Sequence, residues 1–156
     1  MIKFFQTKDK LSDKEIKEFE REFNISLPSE YRNHLLEFNG GKCRPNYFSF
    51  IENGKLSENS VEWFLAIWSG ETINLKNFCE ILKTDSKRMP SMIFPIATDG
   101  SGNFICISCG GKDIGYIYFW DHENEVDYSI SCDNDYSNLH LIAKSFNDFL
   151  NLLADE

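Results

Sequence analysis

The sequence has no run of apolar residues long enough to cross a membrane. A spanning helix needs about 18 consecutive apolar residues, and polar or charged residues interrupt every stretch of that length. The opening residues, MIKFFQTK, also lack the apolar core and the small-residue cleavage site of a secretory signal. We therefore expect a cytoplasmic protein that does not bind a membrane.

Basic residues are missing from one long part of the chain. No lysine or arginine lies between Lys112 and Lys144, and residues 113–156 carry one basic and ten acidic side chains. The remaining residues carry equal numbers of each sign, so the net charge of −9 comes entirely from this last part. Such a surface repels phosphates and attracts cationic proteins. The charge pattern predicts a basic protein partner and no nucleic acid.

The chain also lacks a complete set of residues for catalysis or metal binding. Its five cysteines have no disulfide-scaffold spacing, which predicts reduced thiols. Cys106 and Cys109 lie in a predicted strand, where alternation sends the two sulfurs to opposite faces. The triplet Asp121-His122-Glu123 would converge only at a sharp turn, and no nucleophile completes a triad. We expect no enzyme activity, no cofactor and no metal.

The sequence does contain signals for the beginnings and ends of several helices. We predict helices from Ser12 to Asn24, from Pro28 to Phe38, from Asn74 to Lys83, and from Ser145 onward. Ser12 and Glu15 match a capping box. Pro28 suits a first helical position, where its missing N–H needs no partner. A helix pair therefore opens the chain and a further helix closes it.

Most of the predicted strands lie between those helices. We expect them at residues 47–51, 61–68, 93–97, 104–109 and 116–121. The run 61–68 is apolar on both faces for most of its length, which favours a central strand. Gly110 and Gly111 predict a hairpin between the last two strands. The pattern predicts a single α+β domain over residues 1–156: a mainly antiparallel sheet, with the N-terminal helix pair and the C-terminal helix packed on one face.

Three blocks of the sequence resemble one known family. They are LPSEYRNHLLEFNGG at residues 27–41, PIATDGSGN with GYIYFWDH at 95–122, and SFNDFL at 145–150. In this order they are similar to the SUKH superfamily, which contains bacterial toxin-immunity proteins and a related eukaryotic cell-wall regulator domain. Within the blocks we expect structural roles for ten residues: Leu27, Pro28, Tyr31, Asn39, Gly40, Gly41, Pro95, Gly102, Asn103 and Trp120.

The resemblance implies an immunity protein that neutralises a cognate secreted or contact-delivered toxin by stoichiometric binding. A nuclease toxin fits the acidic last third, because a nuclease must present lysine and arginine to phosphates. The predicted partner-binding residues are six carboxylates and two tyrosine anchors: Asp121, Glu123, Glu125, Asp127, Asp133, Asp135, Tyr128 and Tyr136. If the segment is only a solvated loop, an intracellular adaptor or regulator is the alternative. A metal- or thiol-based enzyme using Cys106, Cys109 and His122 is the weakest alternative.

Overall fold

A computed structural model describes residues 1–156 and contains nine strands and four α-helices. The strands are β1 (Lys3–Phe5), β2 (Lys42–Arg44), β3 (Tyr47–Glu52), β4 (Lys55–Ser60), β5 (Trp63–Phe64), β6 (Ile93–Thr98), β7 (Phe104–Ser108), β8 (Ile117–Trp120) and β9 (Leu139–Ala143). The helices are α1 (Asp13–Phe23), α2 (Ser29–Glu37), α3 (Leu75–Cys79), which continues as a π-helix to Asp85, and α4 (Phe146–Asn151). The predicted α+β class with antiparallel strands is confirmed.

The helix ends follow the local sequence closely. Ser12 and Glu15 form the predicted capping box, and Asn24 ends α1 in the left-handed conformation at φ 53°. Ser145 caps α4 by accepting a hydrogen bond from the amide of Asp148. Pro28 differs from its predicted place, because its ψ of 138° is extended and makes it the residue before the first helical position. Its carbonyl accepts the first bond of α2, from the amide of Arg32.

The centre of the molecule is a five-stranded antiparallel sheet in the order β5-β6-β7-β8-β9. Every residue of β7 and β8 is buried, and so are the first five residues of β6. The hairpin predicted across Gly110 and Gly111 is confirmed by the pairing of β7 with β8. These strands form the middle of one continuous core of 34 buried residues.

The prediction of a long central strand at residues 61–68 is wrong. Only Trp63 and Phe64 form a strand, and this strand lies at the end of the sheet. On the side away from β6, the backbone of Phe64 exchanges two hydrogen bonds with Gly41. Aromatic rings of Phe4 and Phe146 pack against the Phe64 ring. The run is apolar on both faces because side chains of β1 and α4 cover it, although β6 is its only neighbouring strand in the sheet.

A hairpin of β3, which was predicted at residues 47–51, and β4, which was not, covers one face of the sheet. Its turn, Asn53 and Gly54, has positive φ at both positions, 50° and 79°, which matches the twist of a two-residue hairpin. Phe50 of β3 stacks on Phe119 of β8 with 4.7 Å between ring centroids. The sequence KLSENS of β4 escaped prediction because it is polar, and strand β9 was also missed.

The helices lie on both sides of the sheet. Tyr31 of α2 and Phe146 of α4 meet edge to face at 5.3 Å, beside the β3–β4 hairpin. On the opposite face, Phe78 of α3 packs against Phe104 of β7 at 5.2 Å. Phe104 pairs with Trp120, so both side chains lie on the same face of the sheet. The next residue along β8, Phe119, points to the opposite face, where the β3–β4 hairpin packs. Helix α3 and the hairpin therefore cover different faces of the sheet.

Candidate functional site

The acidic segment, defined here as residues 121–136, connects β8 to β9 at one end of the sheet. It carries six carboxylates and no lysine or arginine. Its first turn is a short 3-10 helix, His122–Asn124, and the rest has no regular secondary structure. The segment forms a defined loop, because many side-chain hydrogen bonds hold it.

Three of the predicted partner-binding carboxylates shape the turns of this segment. One oxygen of Asp121 accepts from the amide of Glu123 at 2.9 Å, and the other accepts from the Asn124 side chain at 2.6 Å. Asp127 accepts from the amide of Ser129 at 2.9 Å, and Asp135 accepts from the amide two positions further on at 3.0 Å. Asp121 is 8% exposed, so its carboxylate faces the protein rather than solvent.

The hydrogen bonds at two of these turns also favour the charged carboxylate. Bonds from the Ser129 side chain and amide lower the pKa of Asp127, and bonds from Ser137 lower the pKa of Asp135. Asp127 is exposed and Asp135 is partly exposed. Both groups therefore present fixed negative charge at the surface.

The other end of the loop is bound to the connection between α3 and β6. Arg88 forms an ion pair with Glu125, and the amide of Tyr128 donates to the carbonyl of Lys87 at 3.1 Å. The amide of Ser91 donates to Asp133 at 2.6 Å, and its hydroxyl reaches the same carboxylate. Glu125 and Asp133 thus have partners within the chain, which reduces the charge that they offer to another protein.

The two predicted tyrosine anchors direct their hydroxyl groups inward. Tyr128 donates to the carbonyl of Asp135, and Tyr136 donates to Asp113 at 3.1 Å. Tyr118 donates to the same oxygen of Asp113 at 2.7 Å. Burial raises the pKa of Tyr136 to about 12, so it remains a neutral donor. A partner could contact the exposed edges of these rings, but not their hydroxyl groups.

One apolar residue of the segment was missed by the sequence analysis. Ile130 is 86% exposed at the tip of the loop, between the turns at Asp127 and Asp135. The Glu123 side chain is also exposed and makes no hydrogen bond or ion pair within the chain. The outward surface of the acidic segment therefore includes two carboxylates without partners elsewhere in the chain, Glu123 and Asp127, together with Ile130 and the edge of Asp135. Nothing in the sequence distinguished Ile130 from buried isoleucines, because exposure depends on the loop path.

Most of the ten signature residues lie in the interior. Tyr31 and Trp120 are almost fully buried, and the Trp120 indole donates to the carbonyl of Arg88 at 3.2 Å. Asn39 binds the backbone of Asp9 and Ile67 through three side-chain hydrogen bonds. The remaining members include the buried Leu27, the strand residue Pro95 beside a β-bulge, and the left-handed glycines Gly40, Gly41 and Gly102.

The residues considered for catalysis do not come together in one site. Burial raises the pKa of the Cys106 and Cys109 thiols, and all five cysteines are free. His122 binds the side-chain oxygen of Asn103 through its ring at 2.6 Å and through its amide at 3.0 Å. The Asp121 carboxylate instead approaches Glu52 and His140. The triplet 121–123 therefore does not converge as one site.

The fold is that of an α+β domain with a fixed acidic loop at one end of its sheet. A family model matches residues 10–152, and the chain belongs to the SMI1 / KNR4 family (SUKH-1). It is 30% identical over 165 aligned positions to the SPbeta prophage-derived uncharacterized protein YokK of Bacillus subtilis (strain 168). The alignment covers 93% of this chain and 76% of that protein. No helix has the length and apolar character needed to cross a membrane.

Proposed function

We propose that this protein is a cytoplasmic immunity protein that neutralises a cognate toxin by binding it stoichiometrically. Membership of the SUKH-1 family supports this class of function. The acidic segment supports a toxin with a basic nuclease domain, because its carboxylates would meet the lysines and arginines that bind phosphates. In this mechanism the chain performs no catalysis and needs no cofactor.

The observation that carries the proposal is that the acidic loop is already ordered. Asp127 and Asp135 are charged and fixed by their own turns, and Glu125 and Asp133 fasten the loop to residues 88–91. A preorganised loop loses little conformational entropy on binding, so more of the interaction energy appears as affinity. Long-range attraction would raise the association rate, and salt would reduce it.

Affinity also requires apolar contact at the centre of the interface. Ile130 supplies an exposed apolar side chain between two charged turns. Its burial in a pocket of the toxin would stabilise the complex by about 2 kcal/mol. Glu123, Asp127 and Asp135 would then form a charged rim around this contact.

The test is capture of the partner with the tagged full chain from its native cells, under conditions that express the toxin, followed by mass spectrometry. We expect one protein with a basic C-terminal domain, bound at 1:1 and released as salt increases. Purified chain should then inhibit that domain at equimolar ratio. Capture of cytoplasmic regulators that the chain does not inhibit would overturn the proposal in favour of an adaptor.

A further inference from the structure

Three potential metal ligands converge where the β3–β4 hairpin meets the sheet. Glu52 is the last residue of β3, Asp121 directly follows β8, and His140 lies within β9. One ligand atom from each side chain lies within 4.8 Å of the other two. The three residues are far apart in sequence, so only the packing of the hairpin on the sheet brings them together.

The separation of His140 from Glu52 suits a shared cation better than a direct hydrogen bond. His140 Nε2 and Glu52 Oε1 are 3.5 Å apart, whereas an N–H···O bond is about 2.9 Å long. Two ligands that bind a tetrahedral zinc ion at about 2.1 Å lie about 3.4 Å from each other. The observed separation is therefore close to that of two ligands on one ion.

Neighbouring groups hold the two carboxylates in place and leave lone pairs free. Ser57 donates to Glu52 Oε2 at 3.0 Å, which leaves Oε1 towards His140. Each oxygen of Asp121 accepts one hydrogen bond, and a carboxylate oxygen can accept more than one. Supporting hydrogen bonds of this kind orient the ligands in protein metal sites.

Asn138 lies next to the cluster, opposite Asp121, and is fully buried. Its side-chain oxygen Oδ1 has no hydrogen-bond partner. Its Nδ2 donates to the Asp121 carbonyl, and the Asp121 amide donates back to the Asn138 carbonyl, both at 3.0 Å. This pairing continues the register of Phe119 with His140, so the side chains of Asn138, Asp121 and His140 lie on the same face of the sheet.

A buried acceptor without a donor is unfavourable, because it has lost its hydrogen bonds to water. A water molecule bound to a cation in this cluster would supply the missing donor to Asn138 Oδ1. Asp121 is buried and has no lysine or arginine partner, and a buried carboxylate is normally paired or bound to metal. A cation at this position would satisfy both the Asn138 oxygen without a donor and the Asp121 carboxylate without a cationic partner.

We propose that Glu52, Asp121 and His140 bind a divalent first-row transition ion, with Zn²⁺ as its representative. One imidazole nitrogen with two carboxylates suits such an ion better than Ca²⁺ or Mg²⁺, which prefer oxygen ligands alone. The ion would connect the tip of the β3–β4 hairpin to β8 and β9. This site goes beyond the proposed toxin binding, because Glu52 and His140 lie outside the acidic segment and Asp121, its first residue, is buried.

The test is a calorimetric titration of the metal-free full chain with ZnCl₂, in a Cys132→Ser background that removes the exposed thiol. We expect one site per chain with a Kd of about 10 µM or tighter. Zinc at 100 times the Kd should raise the Tm by about 5–10 °C. Glu52→Gln and His140→Gln should each weaken binding at least about tenfold, whereas Glu58→Gln on the exposed side of β4 should not.

Histidine NMR separates this site from binding elsewhere and does not depend on a variant. The chain has three histidines, and zinc should shift the ring resonances of His140 while those of His34 and His122 stay unchanged. Absence of saturable binding up to about 1 mM zinc would overturn the proposal. Binding that persists in folded His140→Gln protein would overturn it as well.

Discussion

The signature block at residues 27–41 and the acidic segment are both irregular in part, but different forces hold them. Tyr31, Leu35 and Asn39 of the signature block are buried, and Gly40 touches the backbone of a neighbouring loop. In the acidic segment, the side chains of Asp127 and Asp135 bind their own turns and stay at the surface. Stability therefore depends on the identity of the residues in the first region, whereas we expect the second to accept substitutions without unfolding of the domain.

The largest effect on stability is expected from Gly40→Ala. A Cβ at this position would lie 2.5 Å from the Cβ of Ala66 and 3.0 Å from its Cα, and the φ of +70° disfavours any side chain. We expect the free energy of unfolding to fall by about 3 kcal/mol or more. Urea denaturation measures this loss.

Gly54→Ala is the matched control for that measurement. Gly54 has a similar φ of +79° but no neighbour within 4 Å of an added Cβ, so it reports backbone strain alone, about 1 kcal/mol. Equal losses for the two variants would show that close packing at Gly40 contributes nothing.

His34 gives the next effect, which depends on pH. Burial lowers the pKa of its imidazole from the ordinary 6.5 to about 4, so below pH 6.5 the unfolded chain binds a proton that the folded chain does not. Stability therefore falls as the pH decreases from 6.5 towards 4. The expected loss from His34 is about 2 kcal/mol between pH 7.5 and pH 5. His34→Gln should remove this part of the pH dependence, measured by urea denaturation at both pH values.

Tyr31→Phe should have a smaller effect of the opposite sign. The Tyr31 hydroxyl is buried without a hydrogen-bond partner, while its ring packs against Phe146. Phenylalanine keeps the ring and removes the unsatisfied hydroxyl, so we expect stabilisation by about 1 kcal/mol. A lower Tm for Tyr31→Phe would indicate that the hydroxyl does have a donor or acceptor in solution.

The smallest effect on stability is expected in the acidic segment. The triple variant Glu123→Gln, Asp127→Asn and Asp135→Asn keeps the acceptor oxygens of both turns but removes three surface charges. Stability should change by less than about 0.5 kcal/mol, while association with the captured toxin at low salt slows about tenfold. Stopped-flow kinetics measure the rate.

A second triple variant removes the same number of charges from another surface. Asp9→Asn, Glu18→Gln and Glu37→Gln replace exposed carboxylates in the balanced N-terminal part of the chain. If the two triple variants slow association equally, the effect comes from net charge and the acidic segment is not the binding surface.

The elements predicted correctly have their determinants close together in sequence. The capping box of α1, the serine cap of α4 and the glycines between β7 and β8 act within a few residues. The wrongly predicted run 61–68 is different, because its position at the sheet edge depends on Gly41 and on the helices above it. An apolar pattern alone does not distinguish a central strand from an edge strand that other elements cover.

In the candidate sites, too, features set by nearby residues were predictable and features set by distant packing were not. Charge count predicted the acidic segment, but not that Asp121 would be buried or that Ile130 would be its most exposed apolar residue. The cluster of Glu52, Asp121 and His140 could not be predicted, because it requires the hairpin to fold over two strands that are distant in sequence. Its only local signal was the Asn53-Gly54 turn, which places Glu52 at the hairpin tip.

The local turns of the acidic segment have an evolutionary consequence. Asp127 with Ser129 and Asp135 with Ser137 specify the path of the loop through bonds that span only two residues. Mutations at Glu123 or Ile130 leave these bonds intact, so related chains could acquire new partners by exchanging outward side chains on an inherited loop shape. Partner specificity would then change while the path of the loop and the fold that supports it stay the same.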